Sequence, residues 1–426
     1  MSDRSRPRAT VVVTGSELVR GDRADRNGPF LARELLRLGF EPSRIEIVGD
    51  RDEELEEALR AGLRADLCVV SGGLGPTHDD RTVELVARVA GVELRLDEDL
   101  HRQIGAVSRS FAARTGRPYT DFEHGVRKQA TVPEGAIDVG LAGTAPGLVL
   151  QTAHAVVVVL PGPPGELQRL WPRALATEPL RELVAQTTPP DRRFLRFFGA
   201  TESAVAKALA EAGGDGGGVE ATICARDFEI HVDLLVEPGA DQRADELASR
   251  LRESLARYLF SASDTSVAEI VLDECRARGL TLATAESCTG GMVAERLTSV
   301  PGSSAVFVGS VVAYADAVKT GELGVPAAIL EAHGAVSSET AAAMAAGVRG
   351  RLEADVGVAV TGIAGPGGGT DAKPVGLVYV HAETPERSRG VSFQYPGDRE
   401  SIRRRATATA LHLVRRLLTQ NRDEDA

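Results

Sequence analysis

Short aliphatic runs alternate with amphipathic stretches along the first 175 residues of the chain. Aliphatic runs at residues 11–13, 45–48 and 66–70 are separated by stretches, around residues 30–38 and 53–63, in which apolar side chains recur at helical spacing. This change of period predicts strand, helix, strand, helix, strand. Strands joined through helices favour parallel pairing with right-handed crossovers, so the pattern predicts a doubly wound, mostly parallel α/β sheet.

The pattern changes after a stretch rich in threonine and proline at residues 187–191. Residues 194–259 combine strand-like runs, two helical stretches and a glycine-rich turn at residues 213–218, which predicts a small α+β domain. No recognisable chemical constellation occurs there, so a spacer or dimerisation role is the default expectation. We therefore expect three domains, at residues 1–175, 190–262 and 265–420, the last with an α/β fold.

The third segment begins with a helical pattern that leads into residues 280–291. There an apolar run ends at Glu286 and Ser287, and two glycines precede another helical pattern. A strand, a tight turn and a helix N-terminus gather backbone N–H groups and the positive end of a helix dipole, so an oxyanion or a phosphate could be held near Ser287. A second glycine-rich loop, residues 362–369, follows another predicted strand, and residues 402–418 predict a closing amphipathic helix.

Composition and charge exclude several function classes. Hydrophobic residues make up 43% of the 426 residues and charged residues 26%, as in soluble globular proteins, and no apolar run approaches the length of about 18 residues that spans a membrane. The polar, arginine-rich start lacks the apolar core of a secretory signal, so a cytoplasmic location is expected. The net charge of -12 argues against broad nucleic-acid binding. The four cysteines form no Cys-x-x-Cys pair, which excludes a zinc knuckle or disulfide framework.

A candidate ligand site follows the third predicted strand, at residues 71–80 (SGGLGPTHDD). The carboxyl ends of the strands in an open α/β sheet form the usual ligand crevice. Glycines permit close backbone approach to a phosphate, and a threonine hydroxyl can donate to it. The binding residues expected here are Gly73, Gly75 and Thr77.

Acidic residues at the same crevice suggest a hard cation. Asp79 and Asp80 are adjacent and could hold Mg²⁺ or a similar divalent ion through water, or one of them could simply cap the following helix. Glu17, after the first predicted strand, could face the same crevice as a further metal ligand, or it could be a solvated loop residue. The sequence leaves these alternatives open.

The candidate chemistry of the third segment consists of hydroxyls and a lysine, without a carboxylate pair or a metal-ligand spacing. A lysine that has lost its charge, or a tyrosinate beside it, can take the proton from a serine, so the set suits acyl-type hydrolysis. Taken singly, each side chain also has an ordinary structural explanation as a turn residue, a strand-end anchor or a solvated helix residue. The candidate catalytic residues are Ser287, Ser304, Tyr314, Lys319 and Thr361.

Several of these motifs resemble the CinA family (competence/damage-inducible protein A). The C-terminal domain of that family is associated with nicotinamide mononucleotide deamidase activity. The motifs that resemble it are residues 285–291 (AESCTGG), the Tyr314 to Lys319 spacing, and residues 334–337, 360–369 and 373–376. The N-terminal domain of the family is similar to molybdopterin-binding domains and is linked to ADP-ribose pyrophosphatase activity in some members. The motifs that resemble it are residues 72–80, 127–130, 143–147 and 160–164.

The resemblance implies an amidohydrolase that converts nicotinamide mononucleotide to nicotinate mononucleotide and ammonia without a cofactor. Tyr314 and Lys319 would handle the proton. Ser304 is the preferred nucleophile, because these three residues bracket one predicted strand, with Ser287 binding substrate; the reverse assignment is also open. The expected binding residues are Thr289, Gly290, Gly291, Gly362, Gly365 and Arg399. Amides of the glycine loops, with Thr361, would stabilise the oxyanion or bind the nucleotide, and Arg399 could meet the substrate phosphate.

The resemblance also implies a possible divalent-cation-dependent pyrophosphatase at the N-terminal site, small-molecule nucleotide substrates and a homodimer. Two alternatives belong to other classes. One is a nucleotide-binding regulatory or competence-associated interaction protein without turnover, which the pair Tyr314 and Lys319 disfavours because phosphate binding needs neither. The other is a molybdopterin-handling enzyme, which rests on the N-terminal loop alone.

Overall fold

The structure, a computed structural model, describes residues 6–419, and the chain divides into two compact units at Pro190 and Asp191. The first unit has the doubly wound, mostly parallel α/β fold that the alternating pattern predicts. Its strands are β1 Arg8–Thr14, β2 Glu41–Val48, β3 Leu67–Ser71, β4 Leu94–Leu96, β5 Thr131–Pro133, β6 Ile137–Leu141, β7 Pro146–Gln151 and β8 Val156–Leu160. Its helices are α1 Ser16–Val19, α2 Asn27–Arg37, α3 Asp52–Gly62, α4 Thr82–Ala90, α5 Glu98–Thr115, α6 Thr120–Gln129, α7 Pro164–Leu175 and α8 Glu178–Ala185.

Six strands of the first unit form one sheet in the order β2-β1-β3-β8-β7-β6. The first four are parallel, and β7 and β6 extend the sheet antiparallel. The central strands β1, β3 and β8 are buried on both faces, as expected for continuous runs of valine and leucine between two helical layers. The carboxyl ends of these three strands therefore open onto one crevice.

The second unit contains an antiparallel sheet and a larger mixed sheet. Its strands are β9 Asp191–Phe198, β10 Val219–Arg226, β11 Glu229–Val236, β12 Leu259–Ser261, β13 Leu282–Glu286, β14 Phe307–Val312, β15 Val356–Gly362, β16 Leu377–Glu383 and β17 Ser388–Gln394. Its helices are α9 Glu202–Glu211, α10 Asp241–Ser254, α11 Val267–Ala277, α12 Met292–Thr298, α13 Asp316–Leu323, α14 Ala327–His333, α15 Ser338–Arg351 and α16 Arg399–Thr419, with a 3₁₀ turn at Ser303–Ala305.

Strands β10-β11-β9-β12 form the antiparallel sheet, and strands β14-β13-β15-β16-β17 form the mixed sheet. In the mixed sheet, β14, β13 and β15 run parallel, and β16 and β17 run antiparallel to their neighbours. Closing helix α16 starts at Arg399, three residues before the start that its apolar pattern predicts. The segments expected as separate domains at residues 190–262 and 265–420 thus lie within one compact unit.

Alternation along the parallel strands divides the mixed sheet into two faces. Leu282, Val356 and Val358 belong to a core shared with α11, α12 and α16, whereas Ala283, Ala285 and Ala359 belong to a second core shared with α13 and α15. Because side chains alternate with a period of two, odd-numbered positions of β13 and β15 face α13 and α15. No helix within residues 6–419 is both long enough and apolar enough to cross a membrane.

Candidate active site

Three parallel strands, β13, β14 and β15, end at the same edge of the mixed sheet, which we call the carboxyl edge. Ser287 follows β13, and its N–H donates to the carbonyl oxygen of Val360 at 2.9 Å. The N–H of Ala313 donates to the backbone carbonyl oxygen of Glu286 at 2.8 Å. Adjacent strands lie about 4.8 Å apart, so Ser287 sits between the segments that carry Tyr314 and Thr361. These three sequence-predicted residues are brought to one edge.

Ser287 has the features of an available hydroxyl. The residue is 8% exposed, and its Oγ makes no hydrogen bond with any other residue in 6–419. The alternation that places Ala283 and Ala285 toward α13 and α15 directs Ser287 to the same face. Its hydroxyl is therefore not committed to a structural partner.

Lys319 lies on that same side of the sheet, in the first turn of α13. It is 1% exposed, and its Nζ donates to the carbonyl oxygen of Tyr314 at 3.3 Å and to Oδ1 of Asp316 at 3.2 Å. Tyr314 as a whole is 62% exposed, and its phenol oxygen accepts from Nη2 of Arg399 at 3.0 Å instead. The structure thus joins Lys319 to the backbone of Tyr314, and does not pair the ammonium with the phenol.

Ser304 lies elsewhere. It belongs to the 3₁₀ turn before β14 and is exposed, whereas Tyr314 follows the other end of that strand. Six extended residues separate the two ends by roughly 20 Å. The expectation that Ser304 shares a site with Tyr314 and Lys319 is therefore wrong within one chain, because residues that bracket a strand lie at its opposite ends.

The N-terminus of α12 is filled by a carboxylate of the chain itself. Buried Glu286 accepts from the N–H groups of Gly291 at 2.9 Å, Val293 at 3.1 Å and Ala294 at 2.8 Å. An anion at this position satisfies the first-turn donors and the helix dipole. The expectation that Gly291 supplies an N–H to substrate is thus not met, and Gly290 donates its own N–H to Ser287 O at 3.2 Å.

Thr361 and Thr289 are both fully buried but differ in their partners. The hydroxyl of Thr361 donates to the carbonyl oxygen of Ala335 at 2.6 Å, so it can accept a further hydrogen bond but cannot give its proton to an oxyanion. The hydroxyl of Thr289 has no hydrogen-bond partner within the described part of the chain. Gly362 pairs with Val378 inside the sheet.

Two arginines at the start of α16 reach the carboxyl edge. Nη1 of Arg399 donates to the carbonyl oxygen of Gly365 at 2.8 Å, in addition to its bond with Tyr314. Arg403 donates from Nε to Cys288 O at 3.0 Å and from Nη2 to Thr289 O at 2.7 Å. Sequence reasoning missed Arg403, although its spacing of four from Arg399 places both on one helix face.

Cys288 is an inert neighbour of Ser287. The side chain is buried, and burial raises the pKa of its thiol to about 12. Since the thiolate is the nucleophilic form of cysteine, this group stays unreactive near neutral pH. Of these two neighbouring side chains, the Ser287 hydroxyl is the one whose reactivity burial of a thiol does not limit.

A second site lies in the first unit, where a cleft of about 880 Å³ opens at the ends of β1, β3 and β8. The sequence-predicted residues that line it are Glu17, Gly73, Gly75, Asp79 and Asp80. Thr77 lies beside the two aspartates, since its single hydroxyl proton is shared between an oxygen of Asp79 and Oδ2 of Asp80, and its N–H donates to Asp80 Oδ2 at 3.0 Å. The hydrogen bond from Thr77 lowers the pKa of Asp79.

The donor set of this cleft suits a cation that is held only partly by protein. Within residues 6–419, no three histidine, cysteine or acidic side chains gather as a metal site, so Glu17 does not join Asp79 and Asp80 in such a group. Magnesium is commonly bound by one or two carboxylates together with substrate phosphates and water. Asp79 and Asp80, brought together by Thr77, fit that arrangement.

Sequence reasoning missed several polar residues that line the cleft. Asn27 is 5% exposed, and its Nδ2 donates to Ser71 Oγ at 2.9 Å and to Gly162 O at 2.7 Å. Asp50 accepts from the N–H and hydroxyl of Ser16 at 2.9 and 2.7 Å. Burial raises the pKa of Glu166. These residues are far apart along the chain, and no local motif marks them.

Comparison with known proteins gives matches over nearly the whole chain. The family described as "CinA C-terminal domain" matches residues 264–418, and the one described as "Probable molybdopterin binding domain" matches residues 10–180. A CinA-like protein of Mycolicibacterium paratuberculosis is 44% identical over 97% of this chain and 98% of its own length. One of Mycobacterium tuberculosis is 43% identical over 97% of both chains.

Among solved structures, the competence/damage inducible protein CihA from Agrobacterium tumefaciens is 39% identical and covers 38% of this chain and 100% of its own, with a TM-score of 0.35. The protein CinA from Thermoplasma acidophilum is 32% identical over 42% of this chain and 99% of its own, with a TM-score of 0.36. The full-length identity to the mycobacterial proteins decides the classification. This chain belongs to the CinA family.

Proposed function

We propose that the second unit hydrolyses the carboxamide of nicotinamide mononucleotide, giving nicotinate mononucleotide and ammonia. The observation that supports this most is that Ser287, with an uncommitted hydroxyl, and buried Lys319, held by the Tyr314 carbonyl oxygen, lie on the same face at the carboxyl edge. A serine and a lysine form a known kind of histidine-free nucleophilic system. The substrate class comes from the family resemblance.

In this reaction Ser287 Oγ bonds to the carboxamide carbon as its proton passes to the nitrogen lone pair of Lys319 Nζ, and the carbonyl electron pair moves onto oxygen. Return of that pair breaks the C–N bond, and the nitrogen leaves as ammonia with the proton from Lys319. Water then hydrolyses the resulting ester and regenerates Ser287. For the first transfer, the two side chains must approach to about 3 Å or be bridged by water.

The nucleotide phosphate is assigned to Arg399 of α16. Arg399 keeps a guanidinium at the carboxyl edge between Tyr314 and Gly365, whereas Arg403, one turn further along the helix, donates to the carbonyl oxygens of the turn after Ser287. Guanidinium groups match phosphate oxygens through paired N–H donors. Tyr314 then orients Arg399, a role that its exposed phenol supports better than proton transfer to or from Lys319.

Ammonia release from nicotinamide mononucleotide tests the proposal. We expect Ser287→Ala and Lys319→Ala to lower kcat by about a thousandfold or more, as for other residues of a nucleophilic set. Tyr314→Phe is expected to act mainly on KM, and Ser304→Ala to retain most of the rate. A Lys319→Ala variant that folds normally and keeps its rate would contradict the proton transfer. Nucleotide binding without ammonia release by the wild type would favour a regulatory protein instead.

A second activity is proposed for the first unit, where the 880 Å³ cleft combines a glycine turn with carboxylates. We propose that it cleaves the pyrophosphate bond of ADP-ribose with a divalent cation, which would neutralise phosphate charge beside Asp79 and Asp80. The expected result is hydrolysis that depends on added Mg²⁺ and falls in Asp80→Ala. Equal rates with Mg²⁺ and with EDTA would count against it, and binding of a pterin without ADP-ribose cleavage would favour a molybdopterin-handling protein.

A further inference from the structure

A smaller cavity of about 380 Å³ adjoins the cleft of the first unit. The two cavities share part of their lining and meet at the glycine turn that follows β3. The shared residues are Gly73, Leu74, Gly75, Asp80 and Gln129. A ligand group in the smaller cavity would therefore lie beside the same turn as a ligand in the cleft.

The two cavities differ in charge. The cleft is lined by six carboxylates and two guanidiniums, contributed by Glu17, Asp25, Asp50, Asp79, Asp80, Glu166, Arg23 and Arg26. The charged and imidazole side chains of the smaller cavity are those of Arg127, Lys128, His78, His124, Asp80 and Glu84. A phosphate placed in the cleft meets an excess of negative charge unless a cation neutralises it. In the smaller cavity the two cationic side chains balance the two carboxylates, so a phosphate meets no such excess.

Arg127 is the cation best placed to meet a ligand there. It lies in the last turn of α6, is exposed, and has no ion-pair or hydrogen-bond partner for its guanidinium within residues 6–419. Many other arginines of the first unit are paired, as Arg81 is with Asp52 and Glu84. Its planar fork of donors is thus free for bidentate binding of a phosphate.

Lys128 adds a second positive charge at a fixed position. Its Nζ donates to the carbonyl oxygen of Thr77, which ties the ammonium to the loop that carries Asp79 and Asp80. An ammonium has three donors, so two remain for a ligand. Gly73 and Gly75 allow the backbone of the same turn to approach an anion closely.

We propose that this smaller cavity is an anion site that binds a phosphate or pyrophosphate group through Arg127 and Lys128 without a divalent cation. The bound group could be free phosphate, free pyrophosphate or part of a nucleotide, since all three present the same oxygens. The site does not require the first unit to hydrolyse anything, so it stands independently of the proposed pyrophosphatase activity.

Isothermal titration calorimetry of the full chain with inorganic pyrophosphate, in EDTA at low ionic strength, tests the site. The wild type is expected to bind, and Arg127→Ala to weaken binding by about tenfold, the usual effect of losing one charge-assisted contact. Arg127→Lys is expected to recover part of the affinity. Arg181→Ala is the matched control, because Arg181 is an exposed arginine on α8 that lines neither cavity.

Parallel titrations with phosphate and ADP-ribose identify the source of the anion, and far-UV circular dichroism shows whether each variant is folded. The proposal is overturned if the wild type does not bind pyrophosphate in EDTA, or if folded Arg127→Ala binds as tightly as Arg181→Ala. It is also overturned if binding requires Mg²⁺ and is lost in Asp79→Ala, whose carboxylate lines only the cleft, but not in Arg127→Ala. That last result would place the phosphate in the acid-lined cleft.

Discussion

Glu286 determines how the turn after β13 is built. Its carboxylate accepts three N–H groups from the start of α12 and is completely buried. A buried anion is tolerated there because it is fully hydrogen-bonded and lies at the positive end of a helix. The residue therefore holds the segment next to Ser287 in one conformation, while occupying donors that would otherwise be available to a substrate anion.

Replacing Glu286 with glutamine should destabilise the second unit. The amide would remove the negative charge and turn an NH₂ group toward N–H donors, at a cost of about 2 kcal/mol in the free energy of unfolding. Urea unfolding followed by far-UV circular dichroism measures this change. Glu295→Gln is the control, since Glu295 is exposed on the same helix and its variant should shift the free energy by less than about 0.5 kcal/mol. Equal shifts in both variants would contradict the role assigned to Glu286.

The thiol of Cys288 should be unreactive despite its position next to Ser287. Burial raises the pKa of Cys288 to about 12, whereas Cys224 is exposed. Alkylation with iodoacetamide at pH 7.5, followed by mass spectrometry of peptides, should therefore modify Cys224 well before Cys288. Cys288→Ala should also keep most of the ammonia release. Rapid modification of Cys288 in the folded chain, with loss of activity, would reopen the question of which residue is the nucleophile.

Helix α16 binds three loops at the carboxyl edge through side-chain hydrogen bonds. Its first turns hold the Cys288 and Thr289 carbonyls through Arg403, and the Gly365 carbonyl and the Tyr314 phenol through Arg399. The remainder of the helix packs into the core with Ile402, Ala406 and Ala410. The same element thus stabilises the fold and sets the conformation of the turn that begins at Ser287.

Arg403→Gln should lower the rate of ammonia release because the turn after Ser287 loses the guanidinium that binds the carbonyl oxygens of Cys288 and Thr289. We expect kcat to fall by about tenfold to a hundredfold, the usual effect of a misplaced catalytic group, with part of the loss recovered in Arg403→Lys. Arg404→Gln is the matched control, since Arg404 pairs on the surface with Glu400. If Arg403→Gln were as active as the control, the turn would not depend on this contact.

The elements were predictable where the periodicity of the sequence is strong. The buried valine runs of β1 and β3 and the helices α2 and α3 are recognisable because parallel strands and amphipathic helices have different periods. The prediction that Ser304 lies near Tyr314 fails because the two residues flank β14, and an extended strand holds its two ends far apart. Arg403 and Asn27 act through contacts with residues more than a hundred positions away, which periodicity does not reveal.

At the scale of the whole second unit, one buried cluster links the antiparallel sheet to the C-terminal helix. Glu229 on β11 accepts from Nε2 of His231 at 3.0 Å and from Nε2 of His412 on α16 at 2.8 Å. Phe198 stacks on the His412 ring with centroids 3.8 Å apart. The segments that the sequence separates as a small α+β domain and a C-terminal domain are therefore held together through a polar contact.

His412 is held as a neutral imidazole. Burial lowers its pKa to about 4, against the opposing effect of the Glu229 carboxylate, and its Nδ1 is buried without a partner in the described part of the chain. A protonated Nδ1 would leave a buried donor unsatisfied. Burial disfavours ionised Glu229, but its hydrogen bonds with the two histidines outweigh that effect and lower its pKa to about 2.

The second unit should consequently lose stability as the pH falls from about 6.5 to 4. In this window an unfolded histidine, with a pKa near 6.5, takes up a proton that folded His412 does not, so protonation favours the unfolded state. The full loss in the free energy of unfolding from His412 is about 3 kcal/mol. Protonation of Glu229 also destabilises the folded state, but most of that loss falls below pH 4.5. Urea unfolding at several pH values measures the dependence, with far-UV circular dichroism for the whole chain and fluorescence of Trp171 for the first unit, which contains the chain's single tryptophan.

His412→Gln provides the decisive comparison, because glutamine can still donate to Glu229 but does not titrate. At pH 7 the variant should be less stable than the wild type through lost packing on Phe198, and its unfolding free energy should change less between pH 6.5 and 4.5. His333→Gln is the control for loss of a histidine, since His333 is about half exposed on α14, and its replacement should alter the pH dependence less than His412→Gln does. If His412→Gln and the wild type lost stability in parallel over this range, the acid sensitivity of the second unit would come from groups other than His412.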